Sequence, residues 1–257
     1  MNTTTTLFKN IRFYVLVGTG IITLLVVSIL DRIVPTETLY YIRLGQIFGL
    51  LALIYWYVSL LVSPLSKVIA PQPWLTTLLF ARRAIGVSAA YFAVLHAIVA
   101  ITKQLGGFGG LFGLPERFTL ALILGGIALL VLLAMAATSF DAVIKKMTYK
   151  RWKWLQRTGY FAGILVILHI WMIGTHTEFL SWQLTAFLAL VILFGLEAIR
   201  ISKQLAKKYA ELAPKDIIVT LTVTIWVILS GLLLVLPSLI PRHHGSEHTN
   251  TKEMNHE

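Results

Sequence analysis

The chain has 257 residues, of which 57% are hydrophobic and only 13% charged, with a mean hydropathy of +0.81 and a formal net charge of +11. A soluble domain carries about 25% charged residues, so these values exclude one and mark an integral membrane protein. The positive charges lie between apolar runs rather than along one groove, which excludes nucleic acid as a partner, and the absence of cysteine excludes disulfides, iron–sulfur clusters and thiol catalysis.

Seven apolar runs approach the roughly 20 residues that a helix needs to cross a bilayer. They fall near 13–30, 44–62, 84–102, 119–137, 158–174, 181–199 and 217–240. The expected fold is therefore an all-α integral membrane protein, a seven-helix transmembrane bundle over residues 1–240. The first run is too long for a secretory signal and ends at Ser28-Ile-Leu-Asp-Arg32 with no small-residue cleavage site, so it is read as a retained helix. The N-terminal segment and the loops near 67–83, 145–157 and 200–215 hold sixteen Lys and Arg, against six on the opposite side. By the positive-inside rule the N-terminus is cytoplasmic and the C-terminus outside, in the cytoplasmic (inner) membrane. Gly106 to Gly113 reads as a flexible outer connector. Residues 241–257 form a short tail with His243, His244, His248 and His256, read as a disordered end or as a docking point for ferric or cupric ions.

The third and fifth runs each bury a histidine: AVLHAIV at 93–99 holds His96, and ILVILHIW at 164–171 holds His169. An imidazole in lipid is costly and by default has a partner or a function. Both helices run from inside to outside, and each histidine lies twelve or thirteen residues beyond a cytoplasmic arginine, Arg83 for His96 and Arg157 for His169. At about 1.5 Å per residue, both rings sit roughly 18–20 Å above the cytoplasmic boundary. Gly86, Ala89, Ala93, His96 and Ala100 share one helix face, and the small residues leave room beside the ring. Thr158, Ala162, Leu165, His169, Met172 and His176 share a face of the fifth helix. Haem is the best fit, because its iron takes imidazoles from facing helices, whereas zinc wants two further ligands and no acidic residue lies at that depth. The alternative is that each histidine only packs against a neighbouring helix. Glu197, the acidic residue inside a span, is expected to pair with Arg200 three residues on.

Two stretches resemble a known family. ARRAIGVSAAYFAVLH, 81–96, is similar to the segment leading to a ligand histidine in ferric reductase-like transmembrane domains. RWKWLQRTGYFAGILVILH, 151–169, is similar to that family's segment leading to the next one. The family includes ferric reductases, NADPH oxidases and the haem-binding membrane subunit of bacterial methionine-sulfoxide reductase systems. The resemblance implies transmembrane electron transfer through b-type haem, with His96 and His169 as axial ligands of an outer haem. At the positions where an inner haem would find ligands this chain has Arg83 and Gln156, and neither side chain ligates iron well. One bis-His haem b is therefore expected.

A single outer haem needs a donor that dips into the membrane, an FMN, FAD or quinone ring. Arg82, Arg83 and Arg157 crowd the cytoplasmic mouth with Lys150, Arg151 and Lys153, where they can meet flavin phosphate, a flavoprotein's acidic face or lipid head groups. His176, about 10 Å beyond His169 on the same face, is a candidate for a haem propionate or for alternate ligation. The functional expectation is an electron-transfer subunit fed by a partner flavoprotein or quinol and delivering to an outer-face reductase or metal ion. It has no reductant or terminal substrate site of its own. The rival is a non-enzymatic anchor or assembly protein.

Overall fold

The computed structural model describes residues 3–173 and 180–208, with isolated helical positions between 219 and 231. Among them there are no strands, as a chain in lipid requires when each segment must satisfy its own backbone. The long helices are α1 (Thr3–Ile33), α2 (Glu37–Val68), α3 (Pro73–Val99), α4 (Glu116–Ala137), α6 (Tyr149–Ile173) and α7 (Leu180–Lys208), with a short α5 (Asp141–Lys146) between α4 and α6. Expected spans one to four lie within α1 to α4 and the turn Ala100–Gln104 that continues α3, while α6 and α7 overlap the expected spans five and six. The seventh, 217–240, lies mostly outside the described residues, as do His176 and the tail.

Among the described residues, four helical stretches are long and apolar enough to cross a membrane: Asn10–Ile33, Glu37–Val68, Pro73–Gln104 and Glu116–Ala137. Their mean hydropathies run from 1.9 to 2.8. Large apolar side chains such as Leu24 and Leu130 point outward from them, which in lipid carries no hydrophobic penalty. The helices overrun the apolar runs because nothing breaks them at the boundary. Arg82 and Arg83 remain in α3, and Lys150 to Arg157 remain in α6.

Two helix pairs organise the bundle. α2 packs along α3, and α4 along α6, each pair antiparallel; α1 lies on α3 and α7 on α2. Small residues set the close approach: Ala89, Ala121, Ala128 and Ala162 are fully buried at helix contacts, where a larger side chain would hold the backbones apart. Trp56, Leu60, Ala89, Ala90, Leu132, Ala162 and Leu193 join five helices into one core. A second core, around Leu44, Phe48, Phe92 and Val99, ties α1 to the first pair. A buried hydroxyl pair, Thr19 Oγ1 and Ser88 Oγ at 2.7 Å, pins α1 to α3.

One local feature had no sequence expectation. α3 ends in one π-helical turn, Ala100–Gln104, directly after His96. The glycine run, expected as a connector, holds a 3₁₀ turn, Phe108–Leu111, entered through Gly106 and Gly107 at φ 68° and 102°, which side chains with a Cβ rarely adopt.

Candidate metal centre

His96 is in the last turn of α3 and His169 near the end of α6, and the structure brings them together. Their ring centres are 6.2 Å apart, with the planes at 85°. Each ring is anchored from behind. His96 Nδ1 lies 2.8 Å from the carbonyl oxygen of Gly45 on α2, and His169 Nδ1 lies 2.8 Å from that of Ala121 on α4. A carbonyl only accepts, so Nδ1 carries the proton in both rings and donates it. Nε2 is then the bare lone pair in each neutral imidazole. That is the tautomer a metal needs, held by the kind of outer contact that fixes metal-ligating histidines.

How the anchors are reached depends on glycine. Four residues beyond each accepting carbonyl, on the same face, stands Gly49 in α2 and Gly125 in α4. A Cβ at Gly49 would come within 3.1 Å of His96 Nδ1, and one at Gly125 within 2.7 Å of His169 Nδ1. The ring slides over the missing side chain to share a carbonyl that already accepts within the helix. Each pair therefore presents its histidine by one rule, a small residue at i and a glycine at i+4 on the neighbouring helix. The signal was present in Gly45-x-x-x-Gly49 and Ala121-x-x-x-Gly125, but it lies on the helices that hold the histidines rather than on those that carry them.

This donor set fits iron porphyrin. Two imidazoles sharing one first-row metal through bonds of about 2.0 Å place their ring centres about 6 Å apart. Rings normal to a macrocycle can take any mutual rotation, so planes at 85° are compatible with both. Among the described residues no three His, Asp or Glu converge on a point, so an ion held here has two protein ligands and must bring its other ligands with it. A porphyrin does that.

The arginines are elsewhere. Arg82, Arg83 and Arg157 collect at the opposite end of the bundle, twelve to fourteen residues before the histidines. Arg82 Nε donates to the carbonyl of Ser59 at 2.8 Å. Arg83 binds Asp141 at 2.7 Å and lies over the Trp152 ring at 5.4 Å. Arg12 also approaches Asp141, at 3.7 Å, so α1, α3 and α5 meet at one carboxylate. Arg157 is exposed. Glu197 is hydrogen-bonded to Arg200, as expected, and also accepts from the Tyr160 hydroxyl at 3.3 Å.

Comparison with known proteins bears on the same residues. The model of the ferric reductase like transmembrane component matches residues 48–167, a stretch that holds Gly49, His96 and Gly125 and stops two residues short of His169. The protein-methionine-sulfoxide reductase heme-binding subunit MsrQ of Deinococcus radiodurans is 33% identical over 124 residues, 48% of this chain and 58% of that protein. That of Ralstonia nicotianae is 28% identical over 115 residues, 44% of this chain and 50% of that protein. Magnetosome protein MamZ of Magnetospirillum gryphiswaldense is 36% identical over 95 residues, 37% of this chain but 15% of that protein. The chain thus spans about half the length of the MsrQ relatives and a small part of the magnetosome protein. Residues 48–167, a little under half of this membrane chain, are thus similar to the ferric reductase-like transmembrane family.

Proposed function

We propose that the chain is a haem b electron-transfer subunit of the cytoplasmic membrane, a seven-helix bundle with its N-terminus inside. The observation that carries this reading is the histidine pair with both Nδ1 atoms occupied and both Nε2 atoms left for one metal. The printed names of the MsrQ relatives, which call them heme-binding subunits, support it. A bound haem supplies one-electron exchange between ferric and ferrous iron.

The chain's own residues supply the rest. His96 and His169 would hold the haem iron through their Nε2 atoms. The Gly45 and Ala121 carbonyls fix both tautomers and raise the basicity of the rings, which favours the ferric state. At the same end of the bundle, Arg117 donates to the Trp171 carbonyl at 3.2 Å, and Lys103 Nζ lies 4.5 Å from the Tyr41 ring centre. These are among the cations there that could meet haem propionates; His176, the other candidate, lies outside the described residues. Electrons enter from a flavoprotein or quinol at the arginine-rich end and leave to an outer reductase or a ferric or cupric ion.

A pyridine haemochrome assay on the purified protein is expected to return one haem per chain, since Arg83 and Gln156 provide no second ligand pair. Two haems would overturn the single-site reading. A colourless protein would leave the anchor reading, in which the same two carbonyl bonds only pack helices.

Direction is tested separately. In sealed right-side-out vesicles loaded with reductant, the haem is expected to reduce and then reoxidise when an impermeant ferric chelate is added outside. Reoxidation confined to inverted vesicles would reverse the proposed orientation.

A further inference from the structure

Beyond His96 the chain repeats, one turn nearer the start of α2, the arrangement that seats the ring. Gln104 Nε2 donates to the Tyr41 carbonyl at 3.2 Å. A Cβ added to Gly45 would come within 2.5 Å of that nitrogen and 3.5 Å of Val99 Cγ1. Gln104 is exposed as a residue, yet its amide nitrogen rests on the bare backbone of Gly45. The carbonyl that accepts from His96 therefore belongs to the residue that Gln104 covers. Two polar groups of α3 step along one row of α2: the imidazole over Gly49 to the Gly45 carbonyl, and the amide over Gly45 to the Tyr41 carbonyl.

The π turn is what brings the amide there. In an unbroken α-helix the seventh residue beyond His96, Lys103, would return to within about 20° of its face, whereas the eighth, Gln104, would stand about 80° away. The wider turn at Ala100–Gln104 takes up an extra residue, so the place that an α-helix gives to Lys103 goes to Gln104. Lys103 turns aside and sets its ammonium 4.5 Å from the centre of the Tyr41 ring. An ammonium on Gly45 would put a full charge beside the anchor carbonyl, and the amide ties α3 to α2 without one. Single π turns are rare and recur at functional sites. The second helix pair carries a tie in the reverse sense: Arg117, four residues before Ala121, donates to the Trp171 carbonyl at 3.2 Å, two residues beyond His169.

We propose that Gln104 is a positioning residue for His96: its amide, seated on Gly45 and bonded to the Tyr41 carbonyl, holds the Gly45 carbonyl where it accepts from Nδ1. Without that tie the end of α3 and the anchor move independently, and the ring no longer keeps one tautomer. The consequence for iron rests on the haem reading above; the hold on the ring does not.

A double-mutant cycle on the purified full chain in detergent tests the proposal. Gln104→Leu removes the donor, and Gly45→Ala pushes the amide off its seat. Each is expected to weaken haem binding about three- to tenfold, as the loss of one hydrogen bond does. Each should also raise the midpoint potential, because a less firmly anchored imidazole is a weaker base toward ferric iron. Since both changes break the same tie, the double variant is expected to be no worse than the more affected single one. Thr102→Ala, which removes a hydroxyl bonded within its own helix, is the control and changes neither quantity. Nitrogen NMR of isotopically labelled histidines in haem-free protein reads the ring itself, with His96 assigned by the signals lost in His96→Ala. A fixed Nδ1–H tautomer is expected in the wild type and a mixture of tautomers in Gln104→Leu. Wild-type tautomer and potential in Gln104→Leu, or single effects that add in the double variant, would overturn the proposal. Wild-type protein that takes up no haem counts against the metal centre, and the haem-free spectra then decide the role of Gln104 on their own.

Discussion

Replacing either His96 or His169 by alanine is expected to abolish the low-spin bis-imidazole spectrum and to strip most of the haem. Each substitution removes one of two protein ligands, and among the described residues no other cluster of ligand side chains offers a substitute. The loss should exceed the roughly 10–100-fold drop in metal affinity that follows when only an outer partner of a ligand is removed. Optical spectra of the purified variants, with helix content checked by circular dichroism, measure it. A variant of either histidine that kept the wild-type Soret band at full occupancy would remove that residue from the ligand set. Should haem survive in His169→Ala and vanish in His176→Ala, the ligand would be reassigned to His176.

The second large effect is expected at a residue with no side chain. Gly125→Ala places a Cβ 2.7 Å from His169 Nδ1, closer than real Cβ atoms come to a neighbour. The imidazole must then swing away from the Ala121 carbonyl, losing both its anchor and its aim. Haem affinity should fall about 10–100-fold. Gly49→Ala, at 3.1 Å from His96, asks for a smaller shift and should do less. Gly126→Ala is the control, because a Cβ there meets nothing within 4 Å and the position is exposed. The order expected from haem titration of detergent-solubilised protein is Gly126→Ala equal to wild type, Gly49→Ala weaker, and Gly125→Ala weakest. If Gly125→Ala and Gly126→Ala behave alike, the glycine is not what seats the ring.

How much of this was legible from residues alone follows from what each signal depends on. Spans one to four are set by runs of apolar residues, a local property, and four described helical stretches long and apolar enough to cross a membrane hold the expected ranges. The histidine pair was legible because helical rise is constant: nearly equal residue counts from Arg83 and Arg157 put both rings at about one depth. What holds the rings was not legible. Which carbonyl an imidazole meets depends on how α2 lies against α3 and α4 against α6, and Gly49 and Gly125 acquire meaning only in those contacts. Arg83 illustrates the same limit. As a sequence feature it is one of many cytoplasmic cations, whereas in the fold its charge is engaged by Asp141, on a helix that hydropathy cannot detect because it is six residues long and polar.

The symmetry of the two helix pairs also bears on biogenesis. Each pair presents one imidazole already oriented: α2 with α3 that of His96, and α4 with α6 that of His169. If His96 and His169 are the ligands proposed above, neither half would bind iron strongly alone, and insertion of haem would wait until the chain through Ile173 had entered the bilayer and the pairs had met. Binding to both halves would then favour their docked arrangement by mass action. Haem supply would act as a checkpoint on maturation, because a chain made under haem starvation would keep two well-formed halves without the bond that crosses between them.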